Sequence, residues 1–214
     1  MQLKHKTYSL VMLIILFISL IFNIITSIDN IKYKYKVGVK SYNNIEDIRS
    51  RNESNIELLN STIEVGTISN KDAIKLYENY NIIADSYIDL WNEYSFYEKE
   101  EKRGFSFKKI ETNETLLNDV NYRIQEYLKA ILYLEMETKT NKLEINPEAM
   151  ERFKQMKNLS IEIDTYYKEF YSNELNGAVD EDKKDKIIKR FYWVDILEGI
   201  NEINEKYINV EFKV

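Results

Sequence analysis

No cysteine occurs anywhere in this chain, so disulfides and lipid attachment at a lipobox or any other thiol are excluded, and the redox compartment is left unread. Histidine occurs once, as His5 in a short basic tail. Catalytic triads, zincin motifs and the paired Glu-x-x-His ligands of di-iron bundles are therefore excluded. The five glycines stand singly, so neither a G-x-G-x-x-G turn nor a Walker loop can be assembled, and no nucleotide partner is expected. Asp180, Asp182 and Asp185 lack the glycine turn and distal bidentate glutamate of a calcium loop. No cofactor and no metal site is expected. Proline occurs only once in 214 residues, and scarcity of both helix breakers points to long helices.

What is present begins with Tyr8 to Ile28, an almost unbroken apolar run without a charge, set behind Lys4, His5 and Lys6. At about 1.5 Å of rise per residue, some twenty such residues cross a hydrocarbon core of roughly 30 Å. The run is longer than the apolar segment of a typical signal peptide, and its best small-residue exit, Ile25-Thr26-Ser27, is poor for a leader peptidase. The expectation is an uncleaved signal-anchor helix over 8–28. It follows a basic tail at 1–7 and precedes a basic juxtamembrane stalk at 29–40, with an acidic body at 41–214. Tyr8 on one side and Tyr33 and Tyr35 on the other fit interfacial aromatic belts, and Lys32, Lys34 and Lys36 fit a head-group collar. The lysine count, with Lys40 also on the far side, favours a cytoplasmic body. Large domains obey that rule weakly, and a cytoplasmic body would require a short tail carrying the amino terminus and two lysines to cross the membrane, so an extracytoplasmic body is expected.

The net charge of -6 conceals an asymmetry. Setting aside the six lysines up to Lys40 together with Asp29 from the 30 basic and 36 acidic residues leaves 24 against 35, a net of -11 for the body. Such a surface repels phosphate, and no nucleic-acid partner is expected. The 17 tyrosines fit an AT-rich residue bias and half-buried core positions as well as a binding surface.

Spacing supplies the architecture. Leu76, Tyr80, Ile83, Tyr87, Leu90, Tyr94 and Tyr97 alternate steps of four and three, the seam of a packed helix. Leu117, Val120, Ile124, Tyr127, Ile131 and Leu134 repeat the rule, as do Ala149, Phe153, Met156, Ile163, Tyr167 and Phe170 around an interrupting Ser160. Trp193, Ile196, Ile200, Ile203 and Tyr207 make a last stripe. The predicted fold is all-α: a transmembrane helix followed by an antiparallel, coiled-coil-like bundle of four to five long helices crossing at about 20°. Ser69 with Asp72, and Asn146 before Pro147, read as N-caps; Asn176-Gly177 reads as a stop, and Asp180, Glu181 and Asp182 as complements to a helix dipole. Ile45, Ile48, Ile56, Leu59 and Ile63 make a weaker stripe with Asn52 and Asn55 interspersed. If the anchor continues past Gly38 to Ile63, its outer part runs about 50 Å, matching the helix from Asn70 to Lys102. Continuity is therefore expected, with Gly38 costing only about 1 kcal/mol.

Counting reversals places the link 103–109 near the membrane surface, where Phe105, Phe107, Lys108 and Lys109 suit the head-group boundary; alternatively, the two rings plug the end of the bundle. Two helices can in principle bring together carboxylates such as Glu135 and Asp164 for acid-base work, but nothing singles out that pair. The chain is expected not to be an enzyme.

Three function classes remain. The first is a non-enzymatic scaffold or interaction module at the cell envelope, held to the lipid bilayer and to a protein partner, with Trp91 and Trp193 as core residues or as partner anchors. The second is a ligand-binding sensor subunit with a pocket among the seam tyrosines at 80, 87, 94 and 97; no second span precedes Val214, so its output would fall to another chain. The third rests on a resemblance. Lys6-Thr7-Tyr8-Ser9-Leu10-Val11-Met12 resembles the start of type IV pilin-like proteins, with Thr7 and Met12 where that family carries glycine and glutamate. The resemblance covers only the first few dozen residues, and it implies a long first helix, half embedded in the membrane and half packed on the domain.

Overall fold

The computed structural model describes residues 2–101, 110, 120–138, 140–175 and 180–213. The expected helical bundle is what it contains: α1 (Gln2–Val65), α2 (Asn70–Glu101), α3 (Val120–Thr138), α4 (Pro147–Glu174), α5 (Asp180–Lys189) and α6 (Tyr192–Lys206). Two short strands, β1 (Thr67–Ser69) and β2 (Lys142–Glu144), pair antiparallel with Ile68 opposite Leu143. Neither strand is legible in the sequence, because three residues are too few to show alternation. The ribbon closes the bundle where α1 turns into α2, at Gly66 with φ +71, a left-handed stop that glycine adopts without strain.

The anticipated continuity of α1 is seen: 64 residues form one helix, about 95 Å long. From Val37 onward it carries a buried seam of Val37, Ser41, Ile45, Ile48, Asn52, Asn55, Leu59 and Thr62. Asn52 and Asn55 thus belong to the seam instead of interrupting it, while Ile56 and Ile63 flank it, half-buried. Hydrogen bonds make that polar stretch tolerable. Asn79 Nδ2 donates to Asn55 Oδ1 at 2.7 Å, and Asn52 Nδ2 donates to the Ile48 carbonyl at 3.1 Å.

Side-chain pairs fix the directions. Lys40 meets Asp89 and Glu93 at 3.1 and 2.9 Å, and Asn55 meets Asn79, so α2 runs back along α1. Gln125 donates to Asn81 at 2.6 Å as α3 returns. Tyr80 lies within 3.2 Å of Ser160 while Tyr167 and Tyr171 reach Ile45 and Glu46, which sets α4 antiparallel to α1. The caps behave as read. Asp72 N–H donates to Ser69 Oγ at 3.2 Å, and Ala149 N–H donates to Asn146 Oδ1 at 2.8 Å, with Pro147 in the first turn where its missing donor is harmless. The last two helices break apart at Phe191, whose φ of 58 is left-handed. Asn176-Gly177 and Leu117 lie outside the described residues.

Candidate functional site

The first candidate is the bare half of α1. It is the one helix among the described residues long and apolar enough to cross a membrane, and its most apolar 18-residue window has no buried member. Leu16 is 72 % exposed and Phe22 65 % exposed, whereas Ile45 and Ile48 on the same helix are fully buried. A continuous backbone joins the two, because backbone hydrogen bonding along a helix does not depend on what surrounds the side chains.

Next along α1 comes the collar. Lys32 and Lys36 are exposed, Lys34 is half-buried, and the Tyr33 and Tyr35 rings are exposed beside them. Phe105, Phe107, Lys108 and Lys109, the other interface candidates, lie outside the described residues. A different element stands at this end. Helix α5 descends along α1, with the Lys184 ammonium 5.4 Å from the Tyr42 ring centroid and Ile188 against Gly38. A Cβ on Gly38 would lie 2.8 Å from Ile188 Cγ2, so glycine here permits close approach of two helices. The α5–α6 elbow therefore lies beside the collar. Its Lys189 and Arg190 are exposed, and the Phe191 ring stacks at 5.1 Å on Tyr97 near the end of α2. Ile31, Lys34, Tyr35, Ile188, Lys189 and Phe191 line an open groove of about 290 Å³, almost wholly apolar in its walls. Sequence reasoning missed the elbow, which carries no glycine or proline; the only local signal was the gathering of Lys186, Lys189 and Arg190 around two isoleucines.

Trp91 and Trp193, candidates for partner anchors, are both interior. They are 3 % and 0 % exposed, and they pack edge-on against Tyr94 at 5.6 Å and Tyr97 at 5.4 Å respectively. Each serves the core, where a ring of that size excludes the most water. Neither indole N–H has an acceptor among the described residues.

The seam tyrosines are filled in, not hollow. The Tyr87 hydroxyl donates to Asn201 Oδ1 at 2.9 Å, that of Tyr80 contacts Ser160 Oγ at 3.2 Å, and that of Tyr94 accepts from the Ile110 N–H at 2.7 Å. Burial holds the Tyr80 hydroxyl above its ordinary range, so it stays a neutral hydrogen-bonding group. A more polar cleft of about 420 Å³ opens between α1, α4 and α5, near Tyr42, Arg49 and Lys183. Its central carboxylate, Glu46, already accepts from Tyr171 at 2.7 Å and from Arg49 at 2.8 Å. Of the two carboxylates weighed for acid-base work, Asp164 pairs with Lys168 at 2.6 Å, and burial raises the pKa of Glu135; among the described residues no contact joins them. Among the described residues no group of three or more metal-ligating side chains occurs.

No family model, curated protein or solved structure matches this chain.

Proposed function

We propose that the chain is a single-pass membrane protein whose bare α1 half is an uncleaved anchor and whose bundle is a non-enzymatic scaffold or interaction module at the cell envelope, on the extracytoplasmic side. The observation that carries this reading is the exposure of the apolar run on a helix whose other half is core. Full burial of one large apolar side chain is worth about 1.5–3 kcal/mol. Leaving Leu10 to Ile28 in water therefore forfeits tens of kcal/mol, more than the roughly 5–15 kcal/mol by which a domain is usually stable. A bilayer removes that cost. Support for a non-catalytic body comes from its interior polar groups: Asn55, Asn79, Tyr80, Tyr87 and Ser160 bond one another or the core across helices, which is work of architecture.

The test joins fractionation to surface proteolysis. Full-length protein should pellet with membranes, resist carbonate and yield only to detergent, and protease added to intact cells should digest the acidic body. In-cell crosslinking from that body should then capture a protein partner. Recovery of the full-length chain in the soluble fraction would overturn the anchor, and protection of the body until lysis would reverse its side.

A pilin-like assembly subunit is the second reading, favoured by one observation: α1 is half bare and half packed on the body, the arrangement the N-terminal resemblance implies. N-terminal sequencing of the mature protein decides it. A first residue of Tyr8 supports processing; an intact Met1 removes it. The sensor reading is weakened by seam hydroxyls already bonded within the bundle.

A further inference from the structure

We propose that the groove between α1 and the α5–α6 elbow binds an anionic phospholipid at the edge of the bilayer, giving the bundle a second, lipid-specific hold on the membrane. This inference rests on the anchor reading above and names the partner of that same end of the molecule.

Position comes first. Ile31 lies three residues beyond Ile28, about 4.5 Å along the helix, and both side chains are exposed. The groove therefore opens where the apolar surface of the span gives way to the collar, at the level of head groups. Its chemistry is split in the way a phospholipid is split. Ile31, Tyr35, Ile188 and Phe191 line the groove with apolar surface, Lys34 and Lys189 line it too, and Arg190 is exposed next in the chain. Acyl carbons nearest the glycerol suit the wall, and the phosphate suits the cations.

The backbone supports the assignment. Phe191 holds φ 58, a conformation that costs a bulky residue strain and that glycine or asparagine would adopt freely. The strained turn keeps an aromatic ring in the groove wall and directs the chain into α6. Along α5, acidic Asp180, Glu181 and Asp182 lie at the end remote from the span, while Lys186 and Lys189 lie at the near end. Lys189 also bonds Asp185 at 2.5 Å, one turn back on the same helix. A helix dipole alone would favour that order of charges, so the test must separate lipid binding from helix stability.

Full-length protein in nanodiscs of phosphatidylcholine, doped with photoactivatable phosphatidylglycerol or photoactivatable phosphatidylcholine, is irradiated and its crosslinked peptides are mapped. The expected result is crosslinking at Ile31–Tyr35 and at Ile188–Phe191, about fivefold stronger for phosphatidylglycerol, the factor that one basic side chain near an anionic surface supplies. The double variant Lys189→Gln with Arg190→Gln should remove most of that preference. Phe191→Gly, which keeps the left-handed turn without strain, should reduce crosslinking at the elbow for both. An unchanged circular dichroism spectrum shows that either variant is folded; if the double variant unfolds, Arg190→Gln alone serves for the charge. Crosslinks confined to residues before Asp29, or equal labelling of the elbow by both lipids, would overturn the inference and leave the anchor standing. Failure to enter nanodiscs at all would overturn both.

Discussion

The two halves of α1 are one backbone in two solvents. Between Leu10 and Ile28 apolar side chains point outward on every face, and from Val37 to Thr62 the fully buried positions form one stripe, with charged residues such as Glu46, Arg49, Glu53 and Glu57 off it. Helical pitch is common to both, so pitch does not decide where the helix goes. The angular distribution of apolar groups does: uniform coverage demands a uniformly apolar medium, whereas a stripe demands a partner on one side.

The sharpest way to break the comparison is to remove one half. Deletion of residues 1–30 should move the protein from the membrane pellet to the supernatant while the body keeps its helical circular dichroism and a cooperative melt. A body that aggregates or unfolds would mean that the bare half contributes to the core. Next in size is a matched pair on the same helix. Ile48→Ala opens a cavity at a fully buried site and should cost about 2–5 kcal/mol in denaturant unfolding of the detergent-solubilised protein. Ile15→Ala, 58 % exposed in wild type, should change it by no more than about 0.5 kcal/mol.

A smaller effect probes the polar part of the seam. Asn79→Ala strands the Asn55 side chain, whose oxygen accepts from Asn79 at 2.7 Å, and should cost about 1–3 kcal/mol. The double change Asn55→Ala with Asn79→Ala should cost less than the sum of the singles, because the second removes the stranded group. Smallest is a pH effect within the body. The Glu162 carboxyl is held below its ordinary value of 4.5, chiefly by the Lys206 ammonium and also by the Tyr207 hydroxyl at 2.7 Å. Its contribution is therefore present above that ordinary value and is lost as pH falls through the lower folded value. Glu162→Gln should lower the melting temperature slightly at neutral pH, converge with wild type at low pH and so flatten the acid limb of the profile.

Much of this architecture was legible because tyrosine and isoleucine are large and were set at three-four spacing along α2, α4 and α6. Each of Leu76, Tyr80, Ile83, Tyr87 and Leu90 is buried where the pattern puts it. The outer seam of α1 was only half legible. Asn52 and Asn55 look solvent-bound in one dimension, and only the facing Asn79 shows why they are inside. Leu134, placed on a stripe by spacing, is 38 % exposed near the end of α3. The break at Phe191 was not legible as a turn, since a left-handed phenylalanine is not a local preference and no glycine or proline stands there. The candidate groove was hidden for a related reason: Ile31 and Ile188 are distant in sequence and meet only because α5 descends along α1 over Gly38.

The absence of native cysteine makes one experiment unusually direct: single nitroxides placed one by one along α1, from Leu10 to Thr62, in full-length protein reconstituted into bilayers. Labels from Leu10 to Ile28 should be accessible to oxygen and shielded from a water-soluble nickel chelate on all faces, and from Val37 onward accessibility should oscillate with the helical period. Nickel access throughout Leu10 to Ile28, or a helical oscillation there like that of the outer half, would contradict a bilayer around the bare half of the helix.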